Sequence, residues 1–214
     1  MRLYLSSFDI GNASPELVRL APGGRVALIL NALDNRPAAR EHWRSDQTSK
    51  LTALGFTVDE LDLRAFFTAP SGLRDVLRGF DMVWINGGNV FILRRAMKQS
   101  GMDLAIAECL SRDEIVYAGF SAAAVIVAND LHGLESVDDP HDVADGYPAE
   151  VVWSGLGLLP FAVVVHYRSD HSEAGGAERE AAHFDRAGIP YRTLRDGEAF
   201  VVHGGLDSLR KVGS

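Results

Sequence analysis

The chain has 214 residues, 47% of them hydrophobic and 23% charged, which predicts a single domain over residues 1–214 with a sizeable core. Its net charge of -8 argues against nucleic acid or an anionic membrane as the main partner. The apolar runs are far shorter than a membrane span, and the N-terminus has no signal-peptide pattern. A single cysteine, Cys109, excludes an internal disulfide framework and favours a reducing cytoplasm.

Apolar runs and amphipathic segments alternate along the first 130 residues. The runs predict strands at residues 3–6, 25–31, 56–61, 82–85 and 115–117, and the segments between them predict helices from residue 14, over 37–54, over 71–78, from 90 onward and over 102–110. Near-continuous apolar strands are typical of a parallel sheet that is covered on both faces. The pattern therefore predicts a three-layer α/β fold with a mostly parallel sheet.

The second half of the chain is less regular. Residues 130–148 are rich in Asp, Gly, His and Pro and predict a long loop, which in a compact domain is usually functional. A strand over 161–167 and a helix over 173–187 follow. Two last strands, at 191–194 and 199–203, flank the turn at Asp196-Gly197 and predict a C-terminal hairpin.

The stretch E-I-V-Y-A-G-F-S-A-A-A-V-I-V-A-N (residues 114–129) predicts a strand, a tight turn with one hydroxyl, and a helix. This order is typical of the nucleophile elbow of α/β hydrolytic enzymes, in which a sharp turn exposes the serine Oγ. The turn needs small residues two positions on either side of Ser121, and Gly119 and Ala123 meet this need. A serine that only caps the following helix is the competing interpretation.

A second turn, I-N-G-G-N-V-F (residues 85–91), follows the strand at 82–85. Glycines at the carboxyl end of a strand allow close backbone approach and leave N–H groups free. The Gly-Gly spacing fits neither a Walker A nor a dinucleotide motif, but it suits the second oxyanion donor that an elbow requires, beside the N–H groups that follow Ser121.

A serine nucleophile requires a general base and a carboxylate that orients it. Among seven histidines, His166 ends an apolar strand and is expected at the sheet edge where Ser121 emerges; His171 is the second choice. The loop between Ser121 and His166 supplies the carboxylate candidates. Glu135 lies in its least polar part and is favoured, although the sequence does not separate it from Asp138 or Asp139.

Four motifs carry a family resemblance: I-N-G-G-N-V-F, A-G-F-S-A-A-A, L-E-S-V-D-D-P, and G-L-G-L-L-P-F followed by V-H-Y. In this order they resemble the serine peptidase family of dipeptidase E (α-aspartyl dipeptidase) and cyanophycinase, which has a class I glutamine amidotransferase-like fold. The resemblance covers most of the chain. It implies Ser121 as nucleophile, His166 as base, a carboxylate near Glu135, and an oxyanion hole formed by the N–H groups of Gly88 and Ala122. The family usually has Gly where this chain has Ala123.

The same resemblance implies the substrate. In dipeptidase E an arginine after the histidine motif is thought to hold an aspartyl side chain, and Arg179 falls near that place, with Arg168 as an alternative and Asn89 as a further substrate-binding residue. The expected activity is therefore that of a serine exopeptidase acting on small peptides, with an aspartyl dipeptidase preferred. It needs no cofactor or metal, and a homodimer is compatible with the sequence.

Two rivals remain at this stage. An amidotransferase-like domain would use a cysteine at the elbow, where this chain has Ser121. A non-catalytic binding or regulatory protein would keep the fold while Ala123 crowds the site.

Overall fold

The computed structural model describes residues 1–214. Seven helices and nine strands alternate along the chain. The helices are α1 (Ser14–Leu20), α2 (Pro37–Ala53), α3 (Leu73–Leu77), α4 (Val90–Ser100), α5 (Met102–Ser111), α6 (Ala122–Val125) and α7 (Ala174–Ala187). The strands are β1 (Arg2–Ser6), β2 (Arg25–Ile29), β3 (Thr57–Glu60), β4 (Met82–Ile85), β5 (Val116–Phe120), β6 (Ala162–Val164), β7 (Tyr191–Thr193), β8 (Ala199–His203) and β9 (Arg210–Val212).

Seven strands form one sheet in the order β3-β2-β4-β5-β1-β8-β9. The first five of these run parallel, while β8 is antiparallel to β1 and β9 is antiparallel to β8. Residues of one strand alternate between two apolar clusters: Leu3 and Leu5 pack with α3 to α6, and Tyr4 packs with α1 and α2. The sheet is thus covered on both faces, which confirms the predicted three-layer α/β fold.

The C-terminal hairpin joins different strands from those predicted. Strand β7 pairs in parallel with β6 in a separate two-stranded sheet, and β8 pairs with β1 and β9. The reason lies in burial: β8 is apolar and buried on both faces over Ala199–Val202, so it belongs inside the main sheet, whereas Tyr191–Thr193 is partly exposed throughout. The turn at Asp196-Gly197 therefore connects two sheets.

Residues 130–160, called here the cover segment, have little regular structure. The predicted loop over 130–148 is confirmed, and the irregular stretch continues to residue 160. They contain one 3-10 turn at Leu134–Ser136 and one β-bridge between Asp130 and Ser154. Arg95 of α4 is fully buried and donates hydrogen bonds to backbone carbonyl groups of this segment, at 2.7 Å to Pro140, 3.0 Å to Glu150 and 3.2 Å to Ala149. A buried guanidinium thus supplies the donors that the irregular backbone lacks.

None of the helices combines the length and the apolarity needed to cross a membrane.

Candidate active site

Ser121 lies between β5 and α6 with a backbone φ of 51° and ψ of -110°. Its backbone N–H donates to the carbonyl groups of Ser6 and Ser7, both at 3.2 Å, which ties the turn to the end of β1. A non-glycine residue at positive φ is strained and persists only where the surroundings impose it. The Ser121 side chain makes no capping hydrogen bond to α6, so the helix-cap interpretation does not describe it.

The two small residues beside Ser121 pack against each other. A Cβ added to Gly119 would lie 2.2 Å from the carbonyl oxygen of Ile85 and 2.6 Å from the Cβ of Ala123. Ala123 itself is fully buried, and its carbonyl accepts a hydrogen bond of 2.9 Å from the Tyr117 hydroxyl. The methyl group of Ala123 occupies room left by Gly119, so the elbow accommodates this departure from the family pattern.

Gly88 lies in the neighbouring turn and lines a cavity that Ser121 also lines. Its φ is 138°, and an added Cβ would lie 2.6 Å from the carbonyl oxygen of Ala32, so only glycine fits. Helix α6 has four residues, too few for an appreciable helix dipole, so any oxyanion donor here acts as an individual N–H group. The N–H groups of Gly88 and Ala122 stay the predicted donors.

Asn89 has a positioning role. Its Oδ1 caps α4 by accepting from the N–H groups of Phe91 and Ile92, and its Nδ2 donates to the Asp139 carbonyl at 3.0 Å. Two cavities have Ser121 in their walls, and the Asn89 side chain lines neither of them. The structure thus does not bring the Asn89 side chain into either cavity, and Asn89 attaches the cover segment to the start of α4 beside the Gly87-Gly88 turn.

His166 follows β6 and is 1% exposed. Its Nδ1 lies 2.7 Å from Oδ1 of Asp196, and its backbone N–H donates to the Ser7 hydroxyl at 2.8 Å. That hydroxyl in turn donates to the same Asp196 oxygen at 2.9 Å, and the Asp196 N–H donates to the Ser169 hydroxyl at 2.8 Å. Asp196 is thus held in place by three polar contacts and orients the imidazole.

The structure does not bring Glu135 to His166. The Glu135 carboxylate accepts from the Gly133 N–H on the exposed surface of the cover segment. Asp138 accepts from the Val90 N–H at 2.8 Å, and Asp139 accepts from the His141 N–H at 2.9 Å. The His166 carboxylate partner in the structure is Asp196, so the predicted Glu135–His166 pair must be corrected.

Sequence reasoning missed both Asp196 and Ser7. The expected carboxylate candidates lie in the loop between Ser121 and His166, whereas the partner lies 30 residues beyond the histidine. One signal was available: Asp196 begins a turn directly before an apolar strand. Because Asp-Gly is also typical of a hairpin turn, this signal alone does not distinguish a catalytic carboxylate from a turn residue.

Burial lowers the pKa of His166, and the neighbouring Asp196 carboxylate raises it by a smaller amount, so the net direction is downward. The imidazole is therefore neutral near pH 7. A neutral ring that donates from Nδ1 to a carboxylate leaves Nε2 free to accept a proton, which is the state required of a general base.

Two more side chains lie beside the imidazole. The ring of His171 stacks on that of His166, with centroids 3.7 Å apart and planes 6° apart, and a Glu173 carboxylate oxygen lies 3.6 Å from His166 Nε2. These three residues are close enough to share a metal ion. The stacking opposes it, because one ion cannot lie in the planes of two parallel rings that far apart.

Two cavities meet at Ser121 and His166. The first, called here the enclosed cavity, lies between the Leu134–Ser136 turn and α7 and has a volume of about 20 Å³, enough for one group the size of a water molecule or an ammonium. The second, called the open cavity, has a volume of about 210 Å³, and its lining includes the aromatic residues Phe8, Trp43 and Phe120 and the basic residue Arg36. The serine and the imidazole are thus reached from two sides.

The arginine expected to bind substrate lies elsewhere. Arg179 is exposed, donates to the Ser136 carbonyl at 3.0 Å and lines neither cavity. The alternative, Arg168, is also exposed and lies over the ring of Tyr167, 5.0 Å from its centroid. The basic side chain that does reach the site is Arg36, which lines the open cavity.

Fold and site together define a class, an α/β protein with a strand–serine–helix elbow and an adjacent histidine–carboxylate pair. Within this class the chain belongs to peptidase family S51, whose model matches residues 24–209. This confirms the family that the four sequence motifs indicated.

Several relatives and solved structures are similar to this chain. A "Probable alpha-aspartyl dipeptidase" of Drosophila melanogaster is 26% identical over 176 residues, which cover 78% of this chain and 67% of the relative. An uncharacterized peptidase of Listeria innocua serovar 6a is 31% identical over 121 residues, or 56% of this chain and 54% of the relative. The chain thus spans about half the length of the curated Listeria relative. A crystal structure named "Putative Peptidase E Protein", from Listeria monocytogenes EGD-e, superposes on this chain with a TM-score of 0.79 at 21% identity. The match covers 100% of this chain and 98% of that one, and it establishes the fold.

Proposed function

We propose that this chain is a serine exopeptidase that hydrolyses small peptides through Ser121, His166 and Asp196. The observation that carries the proposal is the strained turn at Ser121, whose side chain caps nothing and faces cavities that the His166–Asp196 pair also reaches. Backbone strain of this kind is concentrated at functional sites, where it holds a reactive group in place.

In the proposed mechanism Ser121 Oγ attacks the scissile carbonyl while Nε2 of His166 takes its proton. Asp196 holds the Nδ1–H tautomer and stabilises the imidazolium that forms. The N–H groups of Gly88 and Ala122 donate to the developing oxyanion. The imidazolium then protonates the leaving amine, and a water molecule activated by His166 hydrolyses the acyl-enzyme.

The open cavity supports a small, charged substrate. Arg36 is exposed at its edge and forms no ion pair within the chain, while Phe8, Trp43 and Phe120 supply apolar walls. A guanidinium pairs well with a carboxylate, and dipeptides carry one at the C-terminus. Aspartyl dipeptides, suggested by the name of the Drosophila relative, carry a second carboxylate. Because Arg179 lies outside both cavities, we assign carboxylate recognition to Arg36.

The test compares wild type with Ser121→Ala on dipeptides that have Asp, Glu, Asn, Leu and Arg at the N-terminus. Turnover that disappears in Ser121→Ala, with unchanged thermal unfolding, supports the serine mechanism. Arg36→Ala is expected to raise KM for the cleaved dipeptides about tenfold and to have a much smaller effect on the same peptides with an amidated C-terminus.

The rival of a non-catalytic protein is tested with a fluorophosphonate probe. Labelling of Ser121 that His166→Ala abolishes would show an activated nucleophile. Absence of both labelling and turnover would favour a binding protein that retains the family's fold.

A further inference from the structure

The enclosed cavity differs from an ordinary apolar specificity pocket in its charges. Ser121 and His166 form one end, and six apolar residues form most of the wall: Ala122, Val125, Leu134, Val137, Val165 and Ala177. Three carboxyl groups complete the lining, those of Asp138, Glu173 and Glu180. Its lining has no lysine or arginine, so a bound group would meet acidic side chains in a largely apolar surrounding.

Glu180 is the least expected of these residues. It is 2% exposed, on the face of α7 that packs toward the elbow, and its Oε1 is buried without a hydrogen-bond partner in the chain. Burying a carboxyl group without a partner is costly, and most buried polar atoms are paired. An unpaired carboxyl oxygen at a cavity wall indicates a partner that comes from outside the chain.

Asp138 approaches the same cavity from the opposite side. It belongs to the cover segment, and the Val90 N–H at the start of α4 donates to one of its oxygens at 2.8 Å. Burial raises the pKa of Asp138 to about 7 and raises that of Glu180 well above the ordinary range, and the charge of Asp138 adds to the rise at Glu180. Two carboxyl groups in one desolvated space cannot both ionise cheaply without a cation.

We infer that the enclosed cavity binds an ammonium group of the peptide residue whose carbonyl Ser121 attacks, with Glu180 and Asp138 as its carboxylate partners. A cation would satisfy the unpaired Glu180 oxygen and relieve the repulsion between the two carboxyl groups. The inference rests on the proposed function for its placement next to the scissile bond. The inference also places opposite charges of the substrate on the two sides of the site: its ammonium group in the enclosed cavity and its carboxylate group at Arg36 in the open cavity.

Two groups of a peptide have this chemistry: the free α-ammonium of its N-terminal residue and the side-chain ammonium of a lysine. The carboxyl groups alone would recognise either.

The experiment measures binding in Ser121→Ala, so that it does not depend on catalysis. The probes are glycinamide, which presents an α-ammonium, and n-butylammonium, which presents a side-chain ammonium. Their neutral counterparts are acetamide and n-butanol. We expect at least one ammonium probe to bind at least tenfold more tightly than its counterpart by calorimetry, and the probe that does so identifies the source.

Adding Glu180→Gln is expected to reduce that preference to less than threefold, whereas Glu178→Gln, an exposed residue on the same helix, leaves it unchanged. If the Glu180 variant does not fold, Asp138→Asn is expected to reduce the preference in the same direction. Equal binding of charged and neutral probes, or a preference that survives both substitutions, would overturn the inference.

The two proposals fail in different ways. Charge-selective binding in Ser121→Ala together with no turnover in wild type would keep the ammonium site and remove the peptidase mechanism. Serine-dependent turnover without charge-selective binding would do the reverse.

Discussion

Two regions enclose Ser121, and they are built by different means. The first region, called here the floor, consists of the ends of β1, β4 and β5, where backbone contacts between adjacent strands fix the site. The Ser121 N–H donates to the carbonyl groups of Ser6 and Ser7, and Gly119 packs against the carbonyl group of Ile85. The cover consists of the cover segment and α7, and it is attached by side chains, above all Arg95 and Asn89. The floor thus depends on sheet register, and the cover depends on individual polar contacts.

This difference separates the two tasks of the site. The nucleophile and its base depend on the floor and on the Asp196 turn beside it, since Ser7 contacts both His166 and Asp196. The carboxyl groups that we assign to substrate recognition come from the cover, Asp138 from its segment and Glu180 from α7. Changes in the floor should therefore affect catalysis or folding, and changes in the cover should affect specificity.

The largest expected effect is at the catalytic pair. Asp196→Asn replaces the acceptor for His166 Nδ1–H and favours the wrong tautomer, so kcat should fall about 10³- to 10⁴-fold while the fold is kept. Glu135→Gln is the matched control and should leave kcat unchanged, because Glu135 contacts Gly133 rather than the imidazole. Steady-state kinetics measure kcat for both variants. A large loss of kcat in Glu135→Gln with a small loss in Asp196→Asn would contradict the assignment of Asp196 and support the Glu135–His166 pair predicted from the sequence.

The next effect is on the floor itself. Gly119→Ala would force a methyl group to within 2.2 Å of the Ile85 carbonyl oxygen, where only backbone movement can make room. We expect the free energy of unfolding to fall by about 3 kcal/mol, in the range of overpacked cores. Gly72→Ala is the control, since an added Cβ there meets nothing within 4 Å and φ is -76°. Denaturant unfolding measures both, and equal midpoints would contradict a tightly packed elbow.

Much of the floor could be predicted from sequence because each of its parts is local. Apolar strands, the small residues around Ser121 and the Gly-Gly turn lie within a few residues of one another, and parallel strands bring their ends together. The His166–Asp196 pair could not be predicted in the same way, since it depends on β7 joining β6 and β8 joining β1. The position of Arg179 outside both cavities could not be predicted for a similar reason: only packing decides which face of α7 meets the cavity, and that face carries Glu180.

A substitution at the attachment of the cover tests the other half of the comparison. Arg95→Met removes hydrogen bonds to several carbonyl groups of the cover segment and should lower the free energy of unfolding by about 2–4 kcal/mol. Lys98→Met, on the exposed side of the same helix, should change it by less than about 0.5 kcal/mol. In Arg95→Met we also expect KM for dipeptides to rise more than kcat falls, because Ser121 and His166 do not depend on this arginine. A selective loss of kcat would contradict the separation of floor and cover.

The smallest effect concerns the pH dependence of stability in the cover. The pKa of Asp138 is raised to about 7, chiefly by burial, and the charges of Glu173 and Asp142 contribute to the rise. The Val90 N–H and Arg36 act in the opposite direction and lower it. Glu180 lines the same cavity. Between the ordinary carboxyl pKa and about 7 the folded state therefore binds more protons than the unfolded state, so stability falls as pH rises through this window. Asp138→Asn removes this contribution, so the variant should not lose this stability as pH rises. The difference in free energy of unfolding between Asp138→Asn and wild type should therefore increase by about 1 kcal/mol from pH 5 to pH 8, a value reduced for the partial exposure of Asp138. Asp139→Asn, at the exposed neighbouring position, is the control. Parallel pH profiles for wild type and Asp138→Asn would show that Asp138 is already paired within the chain, which would remove one of the two carboxyl groups from the proposed ammonium site.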